Sequence, residues 1–194
     1  AYIELKEFPK ALERYKLLLD KATPKEAKTL NLLLCELYIK WGINAAEQKK
    51  YDESFEYLKE AIQYNTLNPK IYFCMAQNYY QLANYTSCIE AVNKAIEYEK
   101  QNAEKTNDFL LLSAAHHQLG NFFEEKKALT DLLKIDDKNS EGLYRVGLMY
   151  ATQHDIKNAE EAFKKALIYK PDMIHAKYNL ALLYENNNRD KAKE

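Results

Sequence analysis

The stretch SEGLYRVGLMYATQHDIKNAEEAFKKALIYKPDM, residues 140–173, decides how the rest of the chain is read. It is 34 residues long, and small residues stand where two helices must touch. Gly147 precedes Tyr150 by three positions, Ala159 follows, then Phe163 and Ala166, and Pro171 closes the stretch. Such a piece cannot bury its own apolar face, so the pattern predicts neighbours of the same kind.

The neighbours are present. In 69–102, Pro69 opens, Tyr72 and Met75-Ala76 precede Tyr79, and Cys88, Val92 and Ala95 follow at the same offsets. After residues 103–105, the stretch 106–139 holds the pattern with Phe109, Leu112-Ser113, His116, Gly120, Leu129 and Leu132, and puts Glu125 where Ala is usual. The stretch 28–68 matches with Leu34-Cys35, Tyr38, Tyr51, Ser54, Leu58 and Ala61, but seven residues too many lie between Tyr38 and Tyr51. Seven residues make about two helical turns, so lengthened helices keep their inward faces in phase. Gly42 beside Trp41 could instead end a helix, with a loop around Asn44. AAEQKK is rich in good helix formers, which favours helix through 39–50. Partial units are expected at 1–25, where Tyr2, Ala11 and Tyr15 keep the spacing and Pro9 suits a first helical turn, and at 174–194, with Leu180-Ala181 and Tyr184. Thr23-Pro24 is expected to end the first helix. The chain therefore reads as a fragment of a longer array.

Leu-Gly, Tyr, Ala, Phe and Pro at these offsets resemble the tetratricopeptide repeat (TPR). In 140–173, Val146 stands in the Leu place and Leu143 in the Trp place. The resemblance implies an all-α, right-handed superhelical solenoid of antiparallel helix pairs, one unit per 34 residues. A bundle of a few long helices would predict no fixed return.

Composition fits an all-helical protein. The chain is 47% hydrophobic with only 4 Gly and 4 Pro. Its 28 basic and 29 acidic residues are interspersed and give a net charge of −1, which steers toward neither nucleic acid nor an anionic membrane. There is no run of 18 apolar residues to insert in a membrane. Three Cys without close pairing suit a reducing compartment, and a cytoplasmic location is expected.

No catalytic motif is found: no Gly-rich phosphate loop, HExxH or CxxC. Asp136-Asp137 reads as a solvated helix end. His116 falls in the repeat's Tyr place and is expected in the core, and His154 in the turn place, exposed. His117 and His175 lack a third partner for a metal. Cys35 and Cys88 replace small residues at helix contacts, and Tyr38, Tyr79, Tyr150 and Tyr184 are expected in the core. Neither an enzyme nor a cofactor or metal site is expected.

What remains is surface. The resemblance implies that the first helix of each unit lines a concave groove. Carried onto this sequence, the groove places give Leu32, then Phe73, Gln77 and Tyr80, then Leu110 and His117, then Tyr144 and Leu148, and finally Tyr178 and Leu182. Aromatic anchors among aliphatics suit a partner's extended segment or amphipathic helix. The carboxylate clamp of chaperone-adaptor TPR domains lacks its Lys and Asn here: Phe73, Gln77, Leu111, Glu141 and Arg145 stand in those places. The Asn ladder of the nuclear sugar transferase arm is missing too, the sixth places being Leu33, Cys74, Leu111, Arg145 and Asn179. The expected function is a non-catalytic protein-interaction scaffold within a larger assembly. The alternatives are an accessory arm of an enzyme whose catalytic domain lies outside 1–194, and self-association.

Overall fold

The computed structural model describes residues 6–101 and 104–191, with side chains through Glu185. Among these residues there are ten α-helices and no strand. Tyr2 and Ala192, read as repeat positions, lie outside the described residues. The chain divides into two compact sections, Ala1–Lys100 and Gln101–Glu194.

The first section holds α1 (Phe8–Leu19), α2 (Pro24–Glu47), α3 (Tyr51–Tyr64), α4 (Pro69–Gln81) and α5 (Tyr85–Tyr98). The second holds α6 (Lys105–Gln118), α7 (Phe122–Ile135), α8 (Ser140–Thr152), α9 (Ile156–Tyr169) and α10 (Ile174–Lys191). Within each section, helices consecutive in the chain pack on one another, and α2–α3, α4–α5, α6–α7 and α8–α9 are the most intimate pairs.

Local chemistry sets the helix ends. Asn68, Asn139 and Asp155 cap α4, α8 and α9 with side-chain oxygens that accept from Lys70, Gly142 and Asn158 backbone N–H groups. Thr23 forms a capping box with Glu26 and opens α2, so Thr23-Pro24 starts a helix; α1 has already ended at Leu19. Each pair turns on one residue in the left-handed region: Lys49 (φ 61°), Ala83 (55°), Gly120 (71°) and His154 (58°). His154 is exposed there, as expected.

The core is built from the contact places of the repeat. Phe163, Leu58, Val92, Leu129, Ala61, Ala95, Leu132 and Ala166 are fully buried. Cys35, Cys74 and Cys88 are buried free thiols. The first section adds an aromatic stack: Trp41 lies 4.3 Å from Tyr57 and 5.6 Å from Phe8, centroid to centroid. Tyr38 is buried and Tyr79 and Tyr150 are half-buried, but Tyr184 is exposed and donates its hydroxyl to Glu160. No helix among the described residues follows α10 to cover that face. His116 is partly buried, and burial holds its pKa below the ordinary value.

The 39–50 stretch is helical to Glu47, as expected, yet the register of the unit differs from the sequence reading. A Cβ at Gly147 would stand 2.5 Å from the Phe163 ring, and one at Gly42 would stand 3.0 Å from Leu58 Cγ. Both glycines precede their partner by sixteen positions, as Ala76 precedes Val92. Gly42 therefore does the work of Gly147, and it ends no helix. Counted from α3, a regular 34-residue unit runs over 35–68, and the extra length is a helical extension ahead of Cys35, beginning at Pro24. Sequence matching took Tyr38 for the counterpart of Tyr150 because a two-turn slip preserves the apolar stripe.

Candidate functional site

In that register the α2 residues equivalent to Glu141, Tyr144, Leu148 and Ala151 of α8 are Glu36, Ile39, Ile43 and Ala46, seven positions on from where the sequence reading counted, and Ile39 is buried in the core. Leu32 instead sits on the helical extension, half exposed at 52%. On α4, Phe73 packs against the core cluster of Tyr38, Leu58 and Tyr72. Gln77 is exposed, and Tyr80 meets Tyr85 edge-on at 5.4 Å.

These faces of α2 and α4 enclose a cleft of about 290 Å³. Ile43, Ala46, Glu47 and Lys49 form one wall, Tyr51 and Ser54 come from α3, and Cys74, Gln77, Asn78 and Gln81 come from α4. Asn78 and Ser54 are 3% and 1% exposed, and Asn78 Nδ2 donates to Ser54 Oγ at 2.8 Å. Burial pushes the Cys74 thiol up to about 11, so it is a neutral wall of the cleft at ordinary pH. Glu47 is held by Lys6 at 3.3 Å.

In the second section, Leu110 is half-buried on α6. His117 is turned toward α7: its Nδ1 lies 3.1 and 3.2 Å from the two carboxylate oxygens of Glu125, which is 3% exposed. That pairing satisfies a carboxylate buried where the repeat usually has Ala, and it commits His117 to the fold. Among the described residues no three His, Cys, Asp or Glu side chains converge as a metal site would require. Tyr144 packs 5.8 Å from Phe163 and accepts from Asn179 Nδ2 at 3.0 Å, and Leu148 packs on the same cluster. Tyr178 is 62% exposed on α10, with Leu182 half-buried one turn on. Of the ten residues predicted for the binding surface, then, Leu32, Gln77 and Tyr178 are the exposed ones. Ile43, Ala46 and Asn78 were missed. The signal that could have found the first two is the spacing of Gly42 to Leu58, counted from the second helix of the pair.

No described helix is long and apolar enough to cross a membrane. The profile of the tetratricopeptide repeat matches residues 69–102 and 140–173. No curated protein matches the chain in sequence. Among solved structures, the chain is similar to MamA from Desulfovibrio magneticus RS-1, with 16% identity, TM-score 0.69, and coverage of 81% of this chain and 88% of that one. It is also similar to YrrB, described as a TPR protein with an unusual peptide-binding site, with 17% identity, TM-score 0.69, and coverage of 92% and 86%. A third is the first TPR of Spaghetti bound to an HSP90 peptide, with 20% identity, TM-score 0.58, and coverage of 63% and 95%. At these identities the likeness is one of fold, a helical-repeat solenoid.

Proposed function

We propose that this chain, a tetratricopeptide-repeat protein, is a protein-interaction scaffold that holds a partner's extended segment or amphipathic helix within a larger assembly. The observation that carries this reading is the apolar surface left on the first helices of its pairs. Tyr178 is 62% exposed on α10, Leu182 and Tyr144 are half-buried, and none of them belongs to a catalytic constellation. Exposed aromatics with anchored bases are typical hot spots, because little side-chain entropy is lost when they are covered. Two solved structures of similar fold support a peptide as the kind of ligand, since their descriptions name a peptide-binding site and a bound peptide.

Affinity capture with the whole chain, read by mass spectrometry, identifies binders, and the variants then test the surface. Tyr178→Ala is expected to weaken binding of an identified binder by about tenfold or more while leaving the melting temperature unchanged. Tyr144→Ala is expected to lower stability as well, because it removes the Phe163 contact and the Asn179 hydrogen bond. Unchanged affinity in Tyr178→Ala would remove this surface from the function.

A further inference from the structure

The joint between α7 and α8 is open where the equivalent joints are closed. Phe55 on α3, Lys126 on α7 and Glu160 on α9 hold one place of the second helix, and Tyr79, Tyr150 and Tyr184 hold one place of the helix that follows. Phe55 packs on the Tyr79 ring at 4.7 Å, and Glu160 accepts from the Tyr184 hydroxyl at 2.7 Å. Lys126 and Tyr150 instead flank a cleft of about 370 Å³. Its floor is Leu129, Leu133, Val146 and Met149, its cations are Lys126 and Lys134, and no acidic side chain lines it. Helical spacing turns Glu124 and Asp131 to other faces of α7, although Asp131 reaches Lys134 at 2.7 Å. The apolar surface continues one turn before Lys126, at Phe122 and Phe123, which are 46% and 78% exposed. Phe123 is the second residue of its helix, a place held by Asp52, Thr86 and Lys157 on α3, α5 and α9.

We infer that the α7–α8 cleft docks an amphipathic helix of a partner protein, one whose apolar stripe is flanked by aspartate or glutamate. The site is separate from the surface proposed above, because Val146, Met149 and Tyr150 lie on the opposite face of α8 from Tyr144 and Leu148. Charge selects the flanks. Lys126 is exposed, and Lys134 follows eight positions on, about 12 Å along the axis, so two carboxylates two turns apart on one helix reach both. At such a rim the ion pairs govern specificity and on-rate more than affinity. The floor selects a helix over an extended chain. A helix satisfies its own backbone groups, whereas a strand would press N–H and C=O groups against aliphatic side chains. Thr130 already donates to the Lys126 carbonyl, which leaves the Tyr150 hydroxyl as the uncharged side-chain donor of the lining. Phe123 offers the docked helix a second apolar contact beyond the cleft.

The test pans a library of helix-forming peptides, randomised along the apolar stripe and its flanks, against the whole chain and measures selected peptides by calorimetry. The expected peptides share Asp or Glu beside the stripe. Lys126→Glu is expected to weaken them by about tenfold or more and to favour the same peptides with Lys at the flank, a reversal that a merely structural role would not give. Thr130→Trp, which fills the mouth of the cleft from an exposed position, and Phe123→Ser are expected to weaken them with helicity and melting temperature unchanged. Peptides with neutral or basic flanks, or peptides that ignore either Lys126→Glu or Thr130→Trp, overturn the inference. So does a library that yields no binder, because a single helix is the named occupant. If the selected peptides weaken in Tyr178→Ala and ignore the α7 changes, the earlier surface stands and this one falls. Binding of the whole chain to phosphatidylserine vesicles, lost in Phe123→Ser and with no peptide selected, would assign the patch to a membrane and also overturn the inference.

Discussion

The pairs α2–α3 and α8–α9 are closed by the same device and burdened differently. In each, a glycine on the first helix admits a large side chain from the second, Leu58 against Gly42 and Phe163 against Gly147. The regular pair has a first helix of 13 residues, Ser140–Thr152, whereas α2 runs for 24. The added residues precede the contact, so they leave its geometry intact and extend the helix toward α1. The packing onto the next helix differs as well. Below α9 the next helix is met by Ala159 and Leu183, below α3 by Ser54 and Asn78. A repeat thus tolerates added length at its start and polarity at its neighbour contact, but not bulk at the glycine.

The strongest way to break this comparison is at the glycines. Gly147→Leu is expected to cost about 3 kcal/mol, the upper range for overpacking, because even a Cβ there meets the Phe163 ring at 2.5 Å. Gly42→Ala is expected to cost less than Gly147→Ala, since the branch of Leu58 can change rotamer where the enclosed ring cannot. Trp41, the single tryptophan, reports urea unfolding of the first section, and amide exchange in α9 reports the second. Equal costs would mean that Leu58 is held as firmly against Gly42 as the Phe163 ring is against Gly147.

The neighbour contact comes next. Asn78→Leu alone is expected to cost about 1–3 kcal/mol by stranding the Ser54 hydroxyl. The double change Ser54→Ala with Asn78→Leu, which copies Ala159 and Leu183, is expected to recover most of that. A double variant no more stable than the single one would show that the polar pair is structural in its own right.

A smaller effect belongs to the extension. Thr23→Ala removes the capping box, in which Thr23 N donates to Glu26 Oε2 at 2.8 Å, and is expected to cost about 1 kcal/mol. Asn139→Ala, which removes the cap on α8, is expected to cost the same order, so the two helices should fray alike in amide exchange.

An effect confined to alkaline pH bears most on the first section. All three cysteines lie in the first section, and burial raises each thiol, Cys74 and Cys88 to about 11. An unfolded thiol ionises near pH ~8.5. The folded chain keeps its protons longer, so this contribution is whole below that pH and is lost as pH rises toward about 11. The Trp41 transition should therefore weaken between those limits. Cys74→Ala with Cys88→Ala should reduce the dependence without abolishing it, because burial also raises Tyr38 and Tyr72 in the first section and Tyr144 in the second.

Much of this was legible in residues alone, for a physical reason. A 34-residue return of small, aromatic and aliphatic residues leaves a stacked helix pair as the way to bury them, and Gly147, Phe163, Ala159 and Ala166 duly stand at the contact. Burial of Cys88 and exposure of His154 came from the same pattern, and continuity of helix through 39–47 from the helix formers of AAEQKK; Cys35 is buried, but not at the contact place it was read in. The surface was less legible. Tyr144 and Tyr178 occupy the same repeat place, yet one is pinned by Phe163 and Asn179 and the other is exposed. His117 has the spacing of a free groove residue, but Glu125, eight positions on, is buried against it.

Local spacing by itself determined that the chain folds as paired helices and which small residues let them touch, because those contacts recur at fixed sequence distance. Only the tertiary structure decided the register of the long helix. A slip of seven residues turns a helix by nearly two whole turns, and the apolar stripe looks the same before and after. The partner across the turn breaks that tie: Leu58 fits against Gly42, and with it Ile43, Ala46 and Asn78 come to line one cleft.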